Sequence, residues 1–198
     1  MSPTRIIIGI TGASGAIYGK LLLERLAGLP DLCGEVAVIF SENARAVWRY
    51  ELGEEPDPVG MAGWGDAVRV RSYDPSDFFA PPASGSAGYE AMIVCPCTMG
   101  TIGRIASGVS TDLLTRAADV MLKERRKLVL VPREAPFSLI HLNNMKLLTE
   151  AGAIICPASP SFYSRPGDLR ELVLTVVDRV MTLAGVDVKG YRWGEEAG

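Results

Sequence analysis

Ile6-Ile7-Ile8-Gly9-Ile10-Thr11-Gly12-Ala13-Ser14-Gly15, close to the amino terminus, decides the fold. Branched apolar residues without polar alternation describe a strand buried on both faces, as in a parallel sheet covered by helices. Glycines then break the run, and a helical pattern follows from about Ile17 to Leu26. Four more runs read the same way: Val36 to Phe40, Met92 to Val94, Leu128 to Val131 and Ala153 to Ile155. Val68 to Arg71 alternates instead, which suits an edge strand. Helical patterns fall between them, at about Ala44 to Leu52, Thr111 to Lys123, Ser138 to Glu150 and Leu169 to Ala184. This order, with crossovers of this length, predicts a three-layer, doubly wound parallel α/β sheet.

At 198 residues the chain fits a single domain, 1–198, large enough to bury its own core. Gly53 to Gly65 reads as surface loop, and the tail from about 186 to 198 is expected to contact a neighbouring subunit. The formal net charge of −3 and a single short basic run, Lys123 to Lys127, argue against nucleic-acid binding. Four cysteines make no disulfide framework, and one histidine offers little to a metal, so none is expected. No stretch approaches the roughly 20 apolar residues that span a bilayer, and no leader pattern opens the chain. The expected compartment is the cytoplasm, with an organelle interior as the alternative.

Ligands of such sheets bind beyond the carboxyl ends of the strands, where the strand order reverses. The glycine loop 9–15 has the character of a phosphate cradle before a helix N-terminus. Its glycines are spaced three and three, unlike the dinucleotide fingerprint, and the second strand ends in Ser41 rather than an acidic residue. A mononucleotide fits better than NAD or ATP. The third buried run leads into Thr98-Met99-Gly100-Thr101, read as a cup for another part of the ligand. Ala80 to Gly88 has the composition of an anion nest. Arg133-Glu134 at a buried strand's end is not needed for packing and reads as site chemistry. His141 lies in a helix with no nucleophile elbow elsewhere, and is expected to pack or to serve the helix end.

Taken together, Gly9 to Gly19, Ala80 to Ser86, Arg116 to Arg126 and Pro132 to Ser138 closely resemble the UbiX family of flavin prenyltransferases. Phe162-Tyr163 and Arg192-Trp193 extend the resemblance over nearly the whole chain. It implies a flavodoxin-like Rossmann fold in a homododecamer. The implied reaction joins a dimethylallyl group from dimethylallyl monophosphate to N5 and then C6 of reduced FMN, making prenylated FMN for UbiD-type decarboxylases. Carried over by motif, Gly12, Ala13, Ser14, Ser41, Thr98 to Thr101 (with Met99 and Gly100) and Arg133 bind FMN. Tyr163 and Arg179 hold the prenyl phosphate, with Lys123, Glu134 and Ser84 close by, and Arg116 and Glu51 line the same site. Thr98 stands where serine is common, and the loop at 53–66 has no match.

The resemblance also frames the chemistry without a metal. Cations in a dry pocket stabilise the departing phosphate, and the π faces of the flavin, Trp193 or Tyr163 stabilise an allyl cation. Glu134 or the released phosphate accepts the proton lost on ring closure, and the catalytic set is Glu134, Lys123, Tyr163 and Glu51. Two other readings stay open: a non-catalytic FMN-binding subunit of a decarboxylase, and a flavin-dependent cysteine decarboxylase. The second needs a histidine on the helix after the first strand, and none stands there.

Overall fold

A computed structural model describes residues 4–29, 33–61, 64 and 68–188. The elements are β1 (Thr4–Ile10), α1 (Ala16–Ala27), β2 (Cys33–Phe40), α2 (Ala44–Leu52) and β3 (Arg69–Tyr73), then β4 (Ala91–Cys97), α3 (Met99–Ala106) and α4 (Leu113–Lys123). β5 (Lys127–Pro132), α5 (Leu139–Glu150), β6 (Ile154–Ile155) and α6 (Leu169–Ala184) complete the chain. The strands form one sheet in the order β3-β2-β1-β4-β5-β6, every neighbouring pair parallel. The order reverses between β1 and β4, so the switch point lies where those two strands end. The three-layer, doubly wound flavodoxin-like architecture expected from the sequence is the one observed, with the alternating run at the β3 edge.

Strand residues point alternately to the two faces, and both faces are dry. On one face Ile6, Ile8, Ile10, Val36 and Val38 pack with the leucines of α1 and with Val173, Val177 and Val180 of α6. On the other, Ile7, Ile39, Met92 and Val94 meet Ile102 and Ile105 of α3 and Leu114 and Val120 of α4. Burial on both faces is the reason these strands carry no polar alternation. Arg25 clasps α1 to α6 by donating Nε and Nη2 to the two Asp178 oxygens, each at 2.8 Å. Gly19 lets α1 settle against the sheet: a Cβ there would lie 3.0 Å from the Cys95 carbonyl oxygen.

Three expectations are corrected. Residues 98–101 open a helix rather than a loop: β4 continues through Cys97, Thr98 is the N-cap of α3, and the hydroxyl residues Thr98 and Thr101 still line a cavity at the strand end. Ala80 to Gly88 spends most of its amides on itself. It folds into two 3₁₀ turns, Pro81–Ala83 and Gly85–Ala87, and the amides of Ala83, Ser84, Ala87 and Gly88 all donate to carbonyls within the stretch. What it turns outward instead is carbonyls, which accept from Arg116, Arg126 and Arg5. The beginning of the tail belongs to the chain's own core, because Val186 and Val188 are buried there. The remainder of the tail, with Trp193, lies outside the described residues. Among the described residues, no helix is long and apolar enough to cross a membrane.

Candidate active site

Thr11 ties the switch point together. It is buried, donates its hydroxyl to the Pro96 carbonyl at 2.8 Å and accepts the Thr98 amide at 2.8 Å. That pair of bonds fixes the end of β1 against the end of β4 and aims the start of α3 into the space above the sheet. Thr98 Oγ1 caps α3 by accepting the Thr101 amide at 3.1 Å, and the two threonine hydroxyls lie 2.9 Å apart. The helix dipole and its free amides therefore converge on one place.

A cavity of about 560 Å³ opens there, within the range of small-ligand sites. Gly12, Ser41, Asn43, Thr98, Thr101, Arg104 and Asp112 contribute to its walls, as do Pro75 and Ser76 just after β3. Four of the sequence-predicted FMN residues, Gly12, Ser41, Thr98 and Thr101, are thus brought to a single cavity. Gly12 is held to hydrogen by its neighbour: a Cβ would meet Asn43 Cβ at 3.0 Å.

Beside the cavity, the N-terminus of α1 is occupied by the chain's own carboxylate. Glu51 of α2 accepts the Gly15 amide at 2.8 Å and the Ala16 amide at 2.7 Å. Burial alone would raise its pKa. Hydrogen bonds from the Ser14 hydroxyl and from the Ala16 and Gly15 amides, with the Arg133 charge nearby, outweigh burial and hold Glu51 below the ordinary carboxylate value. Arg133 itself donates Nε to the Ser14 carbonyl at 2.8 Å. Ser14, Glu51 and Arg133 therefore form one cluster, while the exposed Glu134 accepts, among the described residues, only the amide of Ala135 next to it. The anion at the N-terminus of α1 is thus Glu51, while the first turn of α3 borders the cavity through Thr98 and Thr101.

The other expected residues lie elsewhere on the chain. Arg116 pairs with Asp119 at 2.6 Å and bonds the Ala83 carbonyl next to Ser84, while Lys123 pairs with Glu124. Arg179 lines a second cavity of about 760 Å³ with Cys156, Ser161, Ser164 and Thr175. Tyr163 stands 70% exposed at the edge of that region, its amide donating to Ser161 Oγ. The two cavities share no lining residue. The cavity that gathers Gly12, Ser41, Thr98 and Thr101 is thus distinct from the one that Arg179 lines. His141 serves the helix end, as expected: its Nδ1 accepts the Ser138 amide in a capping box that opens α5.

Sequence reading missed Thr11, Asn43, Arg104 and Asp112. A signal for α3 existed, because Thr98 and Thr101 precede apolar Ile102 and Ile105 at helical spacing. Two glycines, Gly100 and Gly103, masked it. Among the described residues no group of three or more His, Cys, Asp or Glu could hold a metal ion.

A doubly wound sheet with a small-ligand cavity at its switch point is the architecture of nucleotide-binding α/β proteins, and the Flavoprotein family model, which matches residues 1–181, places the chain among the flavoproteins. The chain is 43% identical to flavin prenyltransferase UbiX of Pseudomonas aeruginosa over 203 residues, covering 98% of this chain and 96% of that protein. It belongs to the UbiX-type flavin prenyltransferases of the Flavoprotein family. Among solved structures, the dodecameric FMN-dependent UbiX-like decarboxylase of Escherichia coli O157:H7 superimposes with a TM-score of 0.85 at 38% identity, covering 96% of this chain and 99% of that one. AnUbiX, solved in complex with FMN and dimethylallyl pyrophosphate, gives 0.82 at 39% identity, covering 96% and 99%.

Proposed function

We infer that this chain is a transferase that joins a dimethylallyl group from dimethylallyl monophosphate to reduced FMN. The observation that carries the reading is the coincidence of near-full-length likeness to flavin prenyltransferases with a cavity where the expected FMN residues meet. Reduced FMN supplies the nucleophilic N5 and the C6 at which the new ring closes. The donor set of the cavity fits it: hydroxyls, open helix amides and a guanidinium whose buried Nε has no acceptor among the described residues.

The chain's own residues then divide the work. Thr98 to Thr101 and Ser41 hold the phosphate end of FMN, while Gly12, Ala13, Ser14 and Arg133 border the ring end. Glu51 keeps its charge at neutral pH and fixes the Ser14 to Ala16 backbone. Arg179, Lys123 and Arg116 neutralise the donor phosphate and Tyr163 and Ser84 hydrogen-bond it, so that it needs no metal when cations surround it in a dry pocket. Glu134, exposed and bonded among the described residues only to its neighbour's amide, is the proposed acceptor of the proton lost on ring closure.

Because the flavin and donor surfaces are separate on one chain, neighbouring copies complete the site in a closed homo-oligomer, a dodecamer in this reading. Support comes from α5, where Leu139, Ile140, Leu142 and Leu147 are exposed, and from the fully exposed Phe79. Trp193 and the rest of the tail are assigned to the same subunit contact. The product serves a UbiD-type decarboxylase in the cytoplasm. The test is reconstitution: an inactive apo-decarboxylase of that type, mixed with this protein, reduced FMN and dimethylallyl monophosphate, gains activity. A decarboxylase activated equally well without this protein would refute the link.

A further inference from the structure

Among the described residues Arg104 is the one cation that lines the flavin cavity, and the reading above counts its guanidinium among the donors without giving it a part of its own. It is the sixth residue of α3, and side chains lean toward the N-terminus of their helix. Its Nη2 donates to Thr101 Oγ1 at 3.2 Å, which lays the guanidinium along the first turn of α3. Nε is buried and meets no acceptor among the described residues.

The nearest carboxylate does not satisfy it. Asp112 caps α4, and its Oδ1 accepts both the amide and the hydroxyl of Thr115 at 2.7 Å. Its Oδ2 stands 4.0 Å from Arg104, at the limit of an ion pair. Thr101 therefore holds the guanidinium in place, and what it offers to the cavity it lines is its remaining Nη hydrogens, the Nε being enclosed. Glu42 and Asp112 also line that cavity, and both would repel a phosphate dianion. Hydroxyls and helix amides accept a neutral polyol end as readily as a charged one. A forked cation is the element that distinguishes a phosphate monoester from an alcohol.

We propose that Arg104 reads the phosphate of the flavin and makes this protein select FMN over riboflavin. The proposal rests on the FMN reading of the cavity and names the residue that sets its specificity. It acts together with the first turn of α3, the Thr98 and Thr101 hydroxyls and Ser41.

The experiment is a fluorescence-quenching titration of FMN and of riboflavin into the parental protein, Arg104→Met and Arg104→Lys at fixed ionic strength. The parental protein binds FMN more tightly than riboflavin. Arg104→Met keeps the apolar stem and loses about 10- to 100-fold in FMN affinity, the scale of a lost charged hydrogen bond, with riboflavin unchanged within about twofold. Arg104→Lys, which restores a point charge without the fork, recovers part of the loss. Arg104→Met that keeps the parental FMN-to-riboflavin ratio overturns the proposal, and so does a parallel loss of both flavins, which marks a packing role. Should the methionine variant fail to fold, the lysine variant decides: parental FMN affinity in it overturns the proposal, and a severalfold loss confined to FMN supports it. A parental protein that binds neither flavin removes the FMN reading itself.

Discussion

Replacing Glu51 by glutamine removes one negative charge from the N-terminus of α1 while leaving a side chain of the same shape. The carboxylate accepts the Gly15 and Ala16 amides at 2.8 and 2.7 Å, so both oxygen lone pairs and the helix dipole are engaged. A hydrogen bond to a charged group contributes roughly 1.5–3 kcal/mol in a protected setting, and a charge at a helix N-terminus roughly 0.3–1 kcal/mol. Glutamine keeps one acceptor oxygen, and the site is largely open to solvent, which screens the charge. The expected loss is therefore about 1 kcal/mol, nearer the surface scale. For a chain of this size that lowers Tm by roughly 2–4 °C.

The pH dependence fixes the cause. The folded carboxyl of Glu51 titrates below its ordinary value. Its stabilisation is present above the unfolded pKa, about 4.3, and is lost as pH falls through the folded value. The Tm gap between the parental protein and Glu51→Gln should stay constant from neutral pH down to about 5, then close in more acid buffers. Thermal unfolding followed by circular dichroism across that series reads it. No gap at neutral pH, or a gap that persists once carboxylates are protonated, would refute the capping argument.

Glu134→Gln should keep bound FMN yet lose about 10²–10⁴ in prenyl-transfer rate, read by turnover against flavin content; parental turnover would make Glu134 structural. Arg133→Ala should release FMN more readily, by roughly 1.5–3 kcal/mol in a binding titration, through loss of a charged group that also orders the Ser14 carbonyl. Gly19→Ala pushes a methyl to 3.0 Å from the Cys95 carbonyl and should cost about 1–3 kcal/mol of stability in a denaturant melt. Turnover should survive EDTA, because the proposed site sets the cations Lys123, Arg116 and Arg179 against the donor phosphate; loss on chelation with rescue by magnesium would contradict it.

The sheet was legible because its physics is local. Buried parallel strands must be apolar throughout, and β1, β2, β4 and β5 announce themselves by that rule. β6 was harder to size, since only Ile154 and Ile155 of the apolar run pair in the sheet. α3 was hidden by Gly100 and Gly103, whose weak helix propensity is overridden by the Thr98 cap and by burial of Ile102 and Ile105. The site was legible as a set of strand ends but not as a set of bonds. Glu51 reaches Gly15 across 36 residues, and nothing in the glycine loop's own sequence shows that a distant carboxylate fills it. Similarly, the composition of Ala80 to Gly88 suits a nest, yet which atoms face outward depends on arginines from β1 and from beyond α4.

The most direct measurement is the mass of the flavin after anaerobic incubation of this protein with reduced FMN and dimethylallyl monophosphate. The account predicts a flavin heavier by one five-carbon prenyl unit, formed only with the protein and both substrates present. Recovery of unmodified FMN from a preparation that binds FMN would contradict it.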